Sequence, residues 1–252
     1  MSKANVGLIG IVSELARDDF WGTMAQVAAI GYRGIEAPGR LLEGDVAENV
    51  KRFHGLGLQV LTIGASREAV RDHLSQVTQQ AKSLGAPRVT VWWGPCDDRD
   101  ALLRDAEMYN AAGRQLAQDG IQLCYHNHGH EFQTTYDGLY ALDMLVANTD
   151  PRALAFEIDI AWVAFGGENP IAVLRRLAGR VPAIHVKDMH SLNDKHAFTA
   201  VGTGVVPVRE SVQTAIELGI EWVVVEQDRL RNLTAMETAT VSFLNLKEYG
   251  LV

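Results

Sequence analysis

The sequence predicts an α/β chain closed into a (β/α)8 barrel, a TIM barrel, forming one domain over residues 1–252. Three observations lead there. Short β-branched or aliphatic runs alternate with longer amphipathic segments along the whole chain. Eight such runs in 252 residues leave about 31 residues for each strand, helix and their loops, which suits one βα unit. No Pro/Gly/Ser-rich linker, low-complexity tract or shift in composition divides the chain.

The elements follow in order. VGLIGI (6–11) is the first strand, and Asp18-Asp19 open a helix that ends near Gly31. YRGIEA (32–37) and LQVLTI (58–63) are the second and third strands; Ser66 then opens a helix closing at Gly85. RVTVWW (88–93) is the fourth, and Asp97-Asp98 open a helix closing at Gly120, a residue suited to the left-handed turn that ends helices. IQLCYHN (121–127), LAFEIDI (154–160), PAIHVKD (182–188) and WVVVEQD (222–228) complete the eight. A doubly wound open sheet is the competing architecture, but it would carry a glycine-rich turn after the first strand. Here Gly10-Ile11-Val12-Ser13-Glu14 follows, with no G-x-G-x-x-G.

Composition narrows the function. A net charge of −8, 47% hydrophobic residues and 21% charged residues describe a folded globular domain rather than a disordered chain. Two cysteines, Cys96 and Cys124, are too few for a disulfide framework. No apolar run approaches the roughly 20 residues of a membrane span, and MSKANVGLIG lacks a long apolar signal region or a small-residue cleavage site. The expectation is a cytoplasmic protein with no membrane partner. Without a Lys/Arg block to neutralise phosphates, nucleic acid is not an expected partner either.

In a barrel of this kind the chemistry gathers at the C-terminal strand ends, so polar residues near the end of an apolar run are the informative ones. His126 and His128 end the fifth run, Glu157 and Asp159 lie in the sixth, His185 and Lys187 in the seventh, and Glu226 ends the eighth. Residues i and i+2 share a strand face, so each pair could point inward together. Burying so many ionisable groups is costly unless something compensates them, and a divalent cation does. His126, Asp159, His185 and Glu226 would give it two imidazoles and two carboxylates, a mixed N/O set that suits Mn foremost, with Zn, Co or Fe compatible and Mg or Ca less so. Any one of these residues could equally be a satisfied hydrogen-bonding group; four on four successive strands favour a metal site.

Other positions divide between function and structure. Glu36 is either a substrate contact or a rim residue, and Lys187 either a substrate-binding cation or the partner of Glu157 or Asp188. Trp93 and Trp162 could wall a sugar ring, although packing is the simpler reading for each alone. His130 and Glu131 fall in the loop after the fifth strand, whereas His54, His73, His190 and His196 are expected in solvent. Cys96 follows a Gly-Pro turn and Cys124 is taken as an alternate strand position, so neither is expected as a ligand. Phe243, Leu244 and Leu246 are read as core before subunit contact, and a homo-oligomer is left open.

GIEAPG, YHNHGHEF, EIDIAWV, HVKD followed by VGTG, and VVVEQD together resemble the sugar phosphate isomerase/epimerase superfamily, the xylose isomerase-like TIM barrels that include inosose dehydratases, ketose 3-epimerases and type IV apurinic endonucleases. The resemblance runs over nearly the whole chain. It implies an ion held by an acidic residue on the fifth strand, an Asp on the sixth, a His on the seventh and a Glu on the eighth; Asp159, His185 and Glu226 fit. The fifth-strand position is His126, where ketohexose epimerases have a Glu. That departure argues against a symmetrical two-glutamate epimerisation and toward isomerases, inosose dehydratase relatives or enzymes that eliminate groups from keto-sugars.

The activity expected from this resemblance is a divalent-metal-dependent isomerase, epimerase or dehydratase (a lyase) acting on a sugar, keto-sugar or inosose through a metal-stabilised enediolate. Glu226 or His128 would be the base, and Lys187 or Glu157 would stabilise the oxyanion or donate to a leaving hydroxyl. The alternatives are an endonuclease-like phosphodiesterase of the same superfamily, which would need a basic face and further ligands, or a sugar-binding barrel without independent activity.

Overall fold

The computed structural model describes residues 3–252. Eight parallel strands close into a barrel in chain order: β1 (Asn5–Leu8), β2 (Gly34–Glu36), β3 (Gln59–Ala65), β4 (Arg88–Val91), β5 (Gln122–His126), β6 (Leu154–Asp159), β7 (Ala183–Val186) and β8 (Trp222–Val225). The ring is shut by β1 against β8, with Asn5 opposite Trp222 and Leu8 opposite Val225. Each of the eight expected runs overlaps one barrel strand, and among the described residues no helix is long and apolar enough to cross a membrane.

Several predicted ends move, each for a local reason. The sixth strand stops at Asp159, one residue early, because the Asp159 side chain caps the helix Ile160–Phe165. PAIHVKD divides: β7 ends at Val186, and Asp188–Met189 turns away to pair antiparallel with Phe198–Thr199. The segment between Ser66 and Gly85 is two helices, Arg67–Asp72 and Leu74–Leu84, broken at His73. Asp19 and Asp98 cap the helices Phe20–Ile30 and Arg99–Gln118, as their positions suggested. Near the C-terminus, Leu246 is buried and Phe243 packs on Tyr32, but Leu244 is 53% exposed and does not belong to the core.

Strand alternation sorts the side chains into two cores. One lies between strands and helices and contains Val223, Val225 and Phe156 together with helix residues such as Leu116, Leu174 and Ala239. The other fills the barrel: Ile9, Leu61, Ala183, Trp222 and Val224, with Trp92 packed against them. Glycines make this filling possible. A Cβ at Gly34 would stand 2.5 Å from Leu61, and one at Gly64 would stand 2.3 Å from the Trp92 ring. Above this apolar plug the same inward rows change character, from Ala183 to His185 and Lys187, and from Val224 to Glu226.

Outside the barrel, the helix Arg99–Gln118 approaches the start of β6 so closely that a Cβ at Gly113 would lie 2.0 Å from the Ala153 carbonyl oxygen. Gly113→Ala should therefore destabilise the protein in urea titrations. Overpacking against backbone costs about 1–3 kcal/mol, which outweighs the gain of about 1 kcal/mol in helix propensity. A variant more stable than the wild type would show that this contact does not hold.

Candidate metal centre and active site

Four consecutive strands deliver the expected ligands to one place. His126 ends β5, Asp159 ends β6, His185 lies within β7 and Glu226 follows β8 by one residue. Register sets Asp159 directly beside His185. One donor atom from each of the four lies within 4.8 Å of the other three. His185 Nδ1 stands 2.7 Å from Glu226 Oε2, and His126 Nε2 stands 3.9 Å from Asp159 Oδ2. The His126 and His185 ring centroids are 4.4 Å apart.

Asp159, His185 and Glu226 are each held by further contacts. Asp159 Oδ1 accepts from the backbone N–H groups of Ala161 and Trp162, both at 2.9 Å, which leaves Oδ2 to face the site. The backbone N–H of Asp159 donates to Asn127 Oδ1 at 3.0 Å, so the middle residue of the HNH motif braces β5 against β6. His185 Nε2 faces away from Glu226, 2.8 Å from Glu36 Oε2 and 3.4 Å from Glu157 Oε2. With its proton on Nε2 and donated to Glu36, the ring presents an Nδ1 lone pair to an ion, the arrangement by which a carboxylate fixes a ligating imidazole. Lys187 Nζ lies within 3.1 Å of Asp159, Glu226 and Asp228.

Burial and mutual charge set the protonation states. Burial, helped by the positive charge of His185 and Lys187, holds His126 well below the usual imidazole range, so it is neutral and able to ligate. Burial opposes charge on His185 too, but Glu36, Glu157 and Glu226 outweigh it and raise that imidazole well above its ordinary value. Burial raises Asp159 to about 6, against the pull of Lys187. For Glu226 burial is overcome by Lys187 and His185, which hold it well below the carboxylate range. Glu36 rises to about 8 through burial and the Glu157 charge, while His185 keeps Glu157 low despite its burial, so Glu36 holds the proton of that pair.

These residues fit a divalent cation. His126 Nδ1, buried, has no hydrogen-bond partner among the described residues, and Asp159 Oδ2, also buried, meets the Lys187 ammonium at 3.1 Å without hydrogen-bond geometry. With its Nε2 no closer to Asp159 than 3.9 Å, His126 makes no hydrogen bond through either ring nitrogen. A fully buried imidazole held in this way is poorly explained as a structural residue. Around it, four anionic carboxylates (Glu157, Asp159, Glu226 and Asp228) and the protonated Glu36 meet one ammonium and one imidazole that can carry charge, leaving a net negative charge that a dication offsets.

A cavity of about 420 Å³ opens over this cluster, lined by Trp92, Trp93, His126, His128, His185 and Glu226 among others. His128 lies beyond the end of β5, not within it as expected, yet its ring still lines the cavity, 5.0 Å from that of His126. Its backbone N–H donates to Glu131 Oε2 at 2.8 Å, and Glu131 Oε1 accepts from Tyr125 at 2.8 Å. Burial and nearby Lys187 lower His128 to about 3. His130, near the carboxylate of Glu131 and the carbonyl of Gly94, rises to about 9 although burial opposes it; the Cys96 thiol contributes most to the rise. The Trp162 ring lies 5.5 Å from both the His128 ring and the Lys187 ammonium, whereas Trp93 is 56% exposed at the rim.

Some placements could not be foreseen. Glu157 is fully buried behind His185 and is not among the residues lining the cavity, whereas Glu36 both lines it and touches His185. Trp92, not singled out by the sequence, enters the barrel because Gly64 leaves room for it. Asp188 is no partner of Lys187. Its carboxylate accepts from the backbone N–H groups of Met189, Gly202, Gly204 and Val206, which ties VGTG to HVKD. Cys124 shares the inward face with His126 by alternation, one step deeper, and burial raises its thiol far above the ordinary range. His54, His73 and His190 are exposed and His196 is half-buried.

The fold and the strand-end ligands define a class, and comparison with known families agrees with it: the family described as xylose isomerase-like TIM barrel matches residues 24–244, and the chain belongs to that family. Among relatives, it is 32% identical over 154 residues to an inosose dehydratase of Klebsiella pneumoniae (strain 342), which covers 54% of this chain and 50% of that protein. The chain thus spans about half the length of that relative. A sugar phosphate isomerase/epimerase from Parabacteroides distasonis superposes with a TM-score of 0.82 at 20% identity, covering 98% of this chain and 94% of that one. The IOLI protein, solved with a zinc atom, gives 0.73 at 14% identity, with 97% of each chain covered.

After loading with Mn²⁺ and desalting, the protein should retain about one ion per chain by elemental analysis, and His185→Ala or Glu226→Ala should weaken retention by about 10-fold or more. Equal metal in all three proteins would remove the site. Binding requires Asp159 ionised and the Nδ1 proton of His185 displaced, so affinity should rise with pH. Because His185 is raised well above the ordinary imidazole range, affinity should already fall by about tenfold per pH unit through neutral pH, and by a further tenfold per unit below about 6, where Asp159 takes up a proton.

Proposed function

We propose that this chain is a divalent-metal-dependent isomerase, epimerase or dehydratase acting on a sugar, keto-sugar or inosose. The observation that carries the reading is the convergence of His126, Asp159, His185 and Glu226 within 4.8 Å beneath an open cavity at the C-terminal end of the barrel. The inosose dehydratase relatives and the zinc atom in the IOLI structure support it. Mn is the ion favoured for this donor set, with Zn, Co or Fe as alternatives.

An ion held by these four residues supplies Lewis-acid polarisation of a substrate carbonyl and stabilises the negative charge that develops when the α proton leaves. The protein's own groups do the rest. Glu226, kept anionic by Lys187 and His185, is the proton acceptor beside the substrate carbon. Lys187, buried beneath the cavity with its ammonium held by three carboxylates, acts through Asp159 and Glu226, whose negative charge it sustains. His128 is neutral at pH 7 and its ring lines the cavity, so it serves the far side of the substrate by hydrogen-bonding or relaying a proton to a leaving hydroxyl. Glu157 acts through His185, in place of direct donation to a leaving group. Trp92 and Trp93 form the wall on the β4 side.

Turnover of an inosose or a ketohexose in D₂O, followed by proton NMR, should show exchange at the carbon next to the carbonyl. Glu226→Gln should lower kcat by about 10²–10⁴-fold. Turnover without exchange, or a Glu226→Gln enzyme within a factor of three of the wild type, would contradict this mechanism.

A further inference from the structure

A second compartment, of about 370 Å³, adjoins the metal-site cavity on its β1–β2 side. The two share Ile9, Gly10, Ser13, Glu36 and Ala37, so they meet as one bipartite cleft over the ends of β1 and β2. Their linings differ in kind. The metal side presents imidazoles, carboxylates and indoles, whereas the annex has an apolar floor of Val12, Phe20, Met24 and Ile35, all buried, with Arg17 and Arg40 also in its lining. At the junction, Ala37 adopts φ +49, a left-handed backbone that is costly for a residue with a Cβ. Such strain persists where the surroundings impose it, and it gathers at ligand sites.

We infer that the substrate is itself bipartite: a sugar or polyol unit in the metal-site cavity, joined to an apolar, ring-sized group that fills the annex. This rests on the reading of the metal cavity as a sugar site and adds the class of substituent. A bare polyol gains little from the annex floor, because hydroxyls placed against Val12, Phe20 and Met24 would lose water without finding partners there, the polar Arg17 and Arg40 belonging to other parts of the lining. An aromatic or alicyclic group removes its own apolar surface and that of the walls from water. The annex alone is within the usual size range of small-molecule pockets, roughly 300–1,000 Å³.

Ala16 offers a way to close it. It lines the annex from the helix Ser13–Asp18, which has no fully buried residue, and packs half-buried on the edge of the core, so Ala16→Phe obstructs the compartment and its thermal melt reads any disturbance of that packing. The test is calorimetric titration of the Mn²⁺-loaded protein with methyl β-D-glucopyranoside and phenyl β-D-glucopyranoside. The phenyl compound should bind about tenfold tighter or better. In Ala16→Phe, with an unchanged thermal melt, the ratio should fall below about 2. Equal affinities in the wild type, including no measurable binding of either compound, would overturn the inference, as would a ratio untouched by Ala16→Phe. Repeating the titrations after chelation separates the two readings. If only the metal reading fails, chelation alters neither affinity and the phenyl preference persists; if only the annex reading fails, chelation weakens both compounds equally.

Discussion

His185 is the group on which the rest of the site depends. Its two ring nitrogens face opposite ways, Nδ1 to Glu226 at 2.7 Å and Nε2 to Glu36 at 2.8 Å. Carboxylates buried in a barrel repel one another and lose their hydration, a cost that would push them to neutral forms if nothing positive stood among them. One imidazole and one ammonium, that of Lys187, lie between Glu36 and Glu157 behind the site and Asp159, Glu226 and Asp228 in front of it. The ring thus joins a dry, proton-sharing pair to the donor set that faces the cavity. An ion that replaces the Nδ1 proton leaves the Nε2 bond to Glu36 intact, so the ligand keeps its orientation between occupied and empty states.

Around this pivot several groups have one half committed to structure. Asp159 caps a helix with one oxygen and offers the other. His128 is fixed through its backbone to Glu131, which Tyr125 holds in turn, and its ring remains available. Asp188 gathers four backbone N–H groups from the Met189–Val206 stretch and so fixes the chain just after Lys187. Orientation within the precision that chemistry requires comes from such supporting bonds more than from the ligands themselves. Beneath them, Leu61, Trp92 and Trp222 close the barrel with apolar volume, which keeps the carboxylate layer in a low-dielectric setting.

Much of this was legible in the chain. The eight alternating runs are the eight strands, and the ionisable residues that interrupt them at i and i+2 spacing share inward rows, so His126, Asp159, His185 and Glu226 could be named together. What stayed hidden depends on register and depth, which local pattern does not encode. Trp92 and Trp93 are adjacent and alike in sequence; Gly64, 28 residues earlier, decides which one turns inward. Glu157 and Asp159 have the same parity, but one strand step separates a group behind His185 from one facing the cavity. The strand-like EIDIAWV conceals a helix start, because Asp159 followed by β-branched and aromatic residues reads as strand until its carboxylate is seen on Ala161 and Trp162. Asn127 and Asp188 carry a signal only in retrospect, as Asn and Asp at the end of strands where backbone donors converge.

The central claim, that four successive strands deliver donors to a common ion, is tested most directly by diffraction from crystals grown with Mn²⁺ and measured at the manganese absorption edge. The account predicts one strong anomalous peak in bonding contact, roughly 2.0–2.3 Å, with His126, Asp159, His185 Nδ1 and Glu226, while Nε2 of His185 still reaches Glu36. A peak elsewhere, or crystals grown at saturating Mn²⁺ in which Lys187 alone bridges Asp159 and Glu226 and no metal peak lies between the imidazoles, would contradict it.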